Sequence, residues 1–102
     1  MLKLRPTCEN CNKPLPPDAE DAMICSFECT FCAACAKQLL HNVCPNCGGG
    51  FERRPVRPSG NWKGDNHTGA YLPSDKIKHR PVDLAAHAKF AKPIAGIAPA
   101  RR

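Results

Sequence analysis

The chain has 102 residues, eleven prolines, eight cysteines and a formal net charge of +6. With four Phe, one Trp and one Tyr, it allows one small domain with a tail and excludes a large apolar core. No stretch reaches the roughly twenty apolar residues of a membrane span, and Met1–Pro6 lacks the apolar run of a signal peptide, so a cytoplasmic protein with no membrane partner is expected.

All eight cysteines lie in one stretch, as Cys8-x2-Cys11, Cys25-x3-Cys29, Cys32-x2-Cys35 and Cys44-x2-Cys47. Two or three residues between the members of a pair let the backbone curl round one ion with both sulfurs facing it. Eight thiolates suffice for two tetrahedral four-cysteine sites. A secreted disulfide scaffold is the competing reading, but such scaffolds rarely place every cysteine at these spacings. Zinc, as two Zn2+, is the expected cofactor, ahead of iron or an iron–sulfur cluster. A module of about forty residues is at or below the size where an apolar core suffices, so metal binding is expected to be folding.

In chain order, Arg5-Pro6-Thr7 leads in extended form to a tight turn at Cys8–Cys11. Lys13 reads as a solvated lysine with some scope for charge compensation. Residues 14–21 carry three prolines and three acids and read as a loop, with Leu15 turned inward. Residues 22–29 read as a short strand and turn presenting Cys25 and Cys29, with Ile24 and Phe27 in the small core. Phe31 is expected to pack between the metal sites. Residues 32–41 are rich in helix formers and predict a helix over about 33–41, with Cys32, Cys35, Ala36 and Leu39 on one face. Its N-terminal N–H groups suit thiolates. Cys44–Cys47 is a second clear knuckle, in which the glycine at 48 permits positive φ. Residues 51–54 read as a closing strand.

Beyond Pro55 no second core is evident. The division is therefore a zinc-binding domain over 1–55 and a basic Pro/Gly-containing tail over 56–102. The tail is expected to be mostly disordered, with a short helix over 84–91 capped by Asp83 and forming against a partner. Residues 1–50 carry four basic and five acidic side chains, and residues 51–102 eleven and four. A zinc with four thiolates is formally −2, so loading takes the module to about −5 and the whole chain to about +2. Net basicity is thus weak support for nucleic-acid binding, and the tail has an acidic partner within its own chain.

Spacing alone leaves the wiring of the pairs open between sequential and interleaved. The order of ligands resembles a RING-type domain with Cys29 where a histidine is usual. Thr30-Phe31-Cys32 and Cys44-Pro45-Asn46-Cys47 carry that likeness. Leu4-Arg5-Pro6, Leu15-Pro16-Pro17, residues 22–32 and Cys44–Gly49 are similar to the DUF1272 family of small bacterial proteins of unknown function, over about residues 1–58. The resemblance implies a small metal-stabilised α+β fold with a RING-like cross-brace, or treble-clef module. Cys8, Cys11, Cys32 and Cys35 would then hold one zinc and Cys25, Cys29, Cys44 and Cys47 the other. Asn10 stands where ligases of the ubiquitin system carry an apolar residue and their tryptophan is absent, which argues against ligase activity.

A structural or protein-interaction module is therefore expected, not an enzyme, with a protein as partner. Eight cysteines filling eight positions leave no open coordination site for catalysis. The second reading is nucleic-acid binding through Arg53, Arg54, Arg57, Lys76, Lys78 and Arg80, with Trp62 available for stacking. The third is a thiol redox or zinc-responsive sensor, since Cys32-x2-Cys35 opens a helix.

Overall fold

The structure, a computed structural model, describes residues 1–102. Its centre is an open antiparallel sheet of three short strands, β1 (Ala22–Ile24), β2 (Thr30–Cys32) and β3 (Glu52–Arg53), in the order β2-β1-β3. Met23 pairs with Phe31 on one side and Arg53 on the other. The loop joining β1 and β2 is the second cysteine pair itself. Glu28 N–H donates to the Cys25 carbonyl and Cys25 N–H to the Cys29 carbonyl, closing the hairpin. Glu28 pays for this turn with a φ of 66°, a region non-glycine residues seldom occupy. Phe27, expected in the core, sits at the tip of that loop and is 74% exposed.

The core is small. Leu15, Ala22, Phe31, Ala36, Leu40 and Phe51 pack with six of the cysteines, and the rings of Phe31 and Phe51 meet edge to face at 5.3 Å. Aromatic contacts of this kind add to plain area burial. After β2 the chain enters a π-helical turn over Cys35–Leu39 rather than the regular helix expected over 33–41. Leu40 N–H reaches back five residues to the Cys35 carbonyl. Five-residue closure widens each turn, so the side chain that meets the core is one position later than α-helical spacing dictates. Leu40 is fully buried, and Leu39, expected inside, is 42% exposed. His41 and Asn42, with φ of 50° and 59°, end the turn.

Residues 56–102 are not disordered. They lie along the module, and a regular α-helix, α1 (Leu84–Ala91), has its first turn capped by Asp83 Oδ1, which accepts from Ala86 N–H. A chain of this length is expected to have a radius of gyration of about 13 Å when compact; the value is 14.5 Å, with extents of 46 × 27 × 18 Å. The tail therefore spreads over the module without building a second core. Beyond Pro55 only His87 and Ala91 are buried among named core or polar residues. Polar bonds to the module hold the rest: Ser74 N–H to the Leu4 carbonyl, Arg80 N–H to the Glu9 carbonyl and Val82 N–H to Asn10 Oδ1. Such bonds leave no trace in composition, which explains why the tail reads as disordered in the sequence.

Candidate metal centre

The first and fourth cysteine pairs sit in two turns with the same backbone wiring. Cys8 N–H donates to the Lys13 carbonyl and Asn12 N–H to the Cys8 carbonyl; Cys44 N–H donates to the Gly49 carbonyl and Gly48 N–H to the Cys44 carbonyl. The residue after each second cysteine is left-handed, Asn12 at φ 62° and Gly48 at φ 78°. Asparagine and glycine are the residues that tolerate this conformation. The first knuckle is also tied to the lead into β1 by an exposed ion pair between Lys13 and Asp21.

The sulfurs of Cys8, Cys11, Cys32 and Cys35 all lie within 4.8 Å of one another. Cys11 Sγ and Cys32 Sγ are 3.8 Å apart, far beyond a disulfide bond, and all eight cysteines are free. A tetrahedron with metal–sulfur bonds of about 2.3 Å has edges of about 3.8 Å, so this separation fits a four-thiolate ion. Burial pushes the Cys35 thiol up to about 12, and the neighbouring thiols add to it against the Asn10 amide. Burial likewise raises Cys8. At Cys11 slight burial is outweighed by the Lys13 N–H and the surrounding thiols, which bring it below its ordinary value. Cys11 is exposed and its three partners are buried, so the solvent-facing sulfur is the one most readily deprotonated.

The second group differs from expectation. Only Cys25, Cys44 and Cys47 bring their sulfurs within 4.8 Å of one another. Cys29 does not complete the set: its buried sulfur accepts from Asn46 Nδ2 at 3.4 Å. The structure thus holds one four-cysteine and one three-cysteine cluster on an open sheet, not a RING-like cross-brace with two four-cysteine sites. Cys29 follows the left-handed Glu28, and the spacing of the pair gave no sign of how that turn would aim its side chain. Burial raises Cys44 strongly. Phe27 N–H donates to Cys25 Sγ at 3.3 Å and Gly49 N–H to Cys47 Sγ at 3.4 Å.

The roles of two asparagines were not evident in the sequence. Asn10 Nδ2 donates to Cys35 Sγ at 3.3 Å and Asn46 Nδ2 to Cys29 Sγ at 3.4 Å. Each asparagine sits just before the second cysteine of its knuckle and donates to a sulfur of another pair. The repeated Cys-x-Asn-Cys at 8–11 and 44–47 was the available signal.

The basic residues do not act as one surface. Arg54 is 1% exposed, and its guanidinium donates to the carbonyls of Arg5, Leu15 and Pro16. Arg57 donates to the carbonyls of Tyr71 and Leu2. Lys78 Nζ stands 3.7 Å from Glu9 Oε1. Arg53, Trp62, Lys76 and Arg80 are exposed. No helix is long and apolar enough to cross a membrane.

No solved structure matches the chain. An uncharacterized protein of Rhizobium meliloti (strain 1021) is 66% identical over 59 residues, which cover 58% of this chain and 70% of that protein. The family model described as a protein of unknown function, DUF1272, matches residues 1–57, a segment containing both cysteine clusters. By that match the chain belongs to the DUF1272 family.

Proposed function

We propose that the chain is a non-catalytic protein-interaction module in which zinc substitutes for a missing apolar core. The observation that carries this reading is the four-sulfur cluster of Cys8, Cys11, Cys32 and Cys35. It gathers the first knuckle, the end of β2 and the start of the π-turn, and four protein sulfurs leave a zinc no open position for substrate. The three sulfurs of Cys25, Cys44 and Cys47 are a second, weaker zinc site. The zinc-binding unit is residues 1–55, and 56–102 are an appended strap. When bound, zinc supplies cross-linking charge and no redox chemistry; the protein fixes the thiolates and excludes water from the buried ones. The interaction role is supported by apolar side chains left in solvent, Phe27 at 74% and Trp62 at 86% exposure. A protein in the cytoplasm is the partner this reading implies.

Native mass spectrometry of freshly purified full-length protein tests both parts. Bound zinc whose removal by chelator abolishes the native circular dichroism supports the scaffold reading, and a co-purifying protein lost on deletion of 59–102 supports the interaction. Disulfide-linked cysteines, or a fold unchanged without metal, would overturn it.

A further inference from the structure

A cavity of about 280 Å³ lies where the tail crosses the module. Glu9, Phe31, Pro45 and Asn46 line it from the module, and Arg80–Asp83 with Ala86, His87 and Phe90 from the tail. Two acceptors there are unfilled. Glu9 is 2% exposed, and its Oε2 accepts from Thr30 N–H at 2.7 Å. Its Oε1 has only Lys78 Nζ, at 3.7 Å, which is beyond hydrogen-bond reach. His87 is 4% exposed, and its Nε2 lies 2.8 Å from the Val43 carbonyl. A carbonyl only accepts, so Nε2 carries the proton and a neutral ring leaves Nδ1 as a lone pair. That Nδ1 is buried and has no partner. A buried acceptor left unmade is costly; His87 Nδ1 is one, and the Glu9 carboxylate, with Oε1 free of any hydrogen bond, lines the same cavity as the His87 residue.

We propose that this cavity binds a primary ammonium group carried on a short aliphatic stem. The ammonium offers three donors and a positive charge, which match the free Oε1 of the Glu9 carboxylate on the cavity wall. Phe31, Pro81, Val82 and Phe90 supply an apolar wall for the methylenes, the usual division of labour in a small-molecule pocket. Asp83 adds negative charge at the rim, and Arg80 opposes it. Lys78 already shows the preference: its own ammonium stands toward Glu9 but stops short, on a side chain that is 35% exposed. The same chemistry is presented by a free alkylamine and by a lysine side chain within a peptide.

The test is an NMR titration of the zinc-loaded full-length protein, at constant ionic strength, with n-butylammonium, n-butanol and acetyl-Ala-Lys-Ala-amide. Saturable shifts of the Glu9, Thr30 and His87 amides with butylammonium and not with butanol are expected. Glu9→Gln, which still accepts from Thr30 N–H, is expected to weaken the affinity about tenfold by removing a charge-assisted bond. Lys78→Met removes the competing ammonium and is expected to tighten binding about threefold, the scale of a partly exposed ion pair. A purely structural role for Glu9 would not give that gain. Ala86→Leu, on α1 and lining the cavity, is expected to abolish binding with the remaining spectrum unchanged, and it carries the test if Glu9→Gln fails to fold. Binding of the tripeptide identifies lysine as a source; binding of butylammonium alone identifies a free amine. Equal response to butanol and butylammonium, no saturable shift with either amine, or unweakened binding in Ala86→Leu overturns the proposal.

Discussion

Asn10 has both ends of its amide committed. Oδ1 accepts from Val82 N–H at 2.9 Å, which turns Nδ2 toward Cys35 Sγ at 3.3 Å. A donor at that sulfur stabilises thiolate over thiol, so Asn10→Leu is expected to lower metal affinity about 10–100-fold, the usual effect of losing a partner of a metal ligand. Competition with a chelator of known affinity measures it; an unchanged constant would remove Asn10 from the site. Acid should have the same sense of effect. Burial holds Cys35 up near 12 and raises Cys8, so at neutral pH these two sulfurs carry protons in the metal-free cluster. Four thiols must lose protons to bind as thiolates, and protons therefore compete with metal. Affinity is expected to fall as pH falls, by up to about four decades per unit with every thiol protonated, while an affinity flat with pH would mean that the sulfurs are not the ligands. Residue types and pair spacing were legible in the sequence. The orientation of Cys29 was not, because the spacing of a pair does not say how its turn aims the side chain.

The elements differ in how far local pattern determines them. Of the β1–β2 hairpin, the first strand and the turn could be read from a short apolar run flanking a cysteine pair, but β2 was not expected; the register follows from closing Cys25 to Cys29 through backbone bonds. The π-turn could not be read, because α-helical and π-helical closure use the same residues; the Leu40 N–H bond to the Cys35 carbonyl and the burial of Leu40 instead of Leu39 emerge only in the fold. The two knuckles share their wiring, but the clusters they join have four and three sulfurs. Fewer thiolates bind less tightly, so metal is expected to leave in two steps under increasing chelator. Cys47→Ser should eliminate the weaker step and leave the tighter one. Loss of both metals together, or of the tighter one in Cys47→Ser, would contradict the unequal clusters. Gly48 adds a backbone requirement, since at φ 78° a Cβ would also stand 3.4 Å from Phe90 Cζ. Gly48→Ala is expected to cost about 1–2 kcal/mol from the left-handed backbone alone, read as a lower denaturant midpoint.

Across the whole molecule, polar bonds to backbone do what apolar burial does in larger domains. Arg54 carries a charge to the interior with no carboxylate bonded to it, and burial lowers its pKa, yet an arginine stays protonated. Its three carbonyl partners staple the N-terminal lead and the proline loop to the end of β3. Arg54→Met is expected to cost at least about 1.5–3 kcal/mol, the scale of hydrogen bonds to a charged group; full stability in the variant would show that packing alone holds these segments. The helical part of the tail is fastened by polar bonds at both of its ends. Val82 N–H holds Asn10, and Arg102 donates to the carbonyls of Asn42 at 2.7 Å and Gly48 at 3.2 Å. Because Asn10 also donates to Cys35, tail docking and metal retention share a residue. Val82→Pro deletes one N–H at a position that already follows a proline, and leaves every cysteine in place. It is expected to free the Asn10 amide, speed metal loss from the four-cysteine cluster and leave loss from the three-cysteine cluster unchanged. Arg102→Ala should act at the other end, loosening the strap over Asn42 and Gly48 without touching Cys35. Stopped-flow release to a chromogenic chelator distinguishes the two variants by which step accelerates. If neither step changes in either variant, the strap is fastened to the module without bearing on its metal.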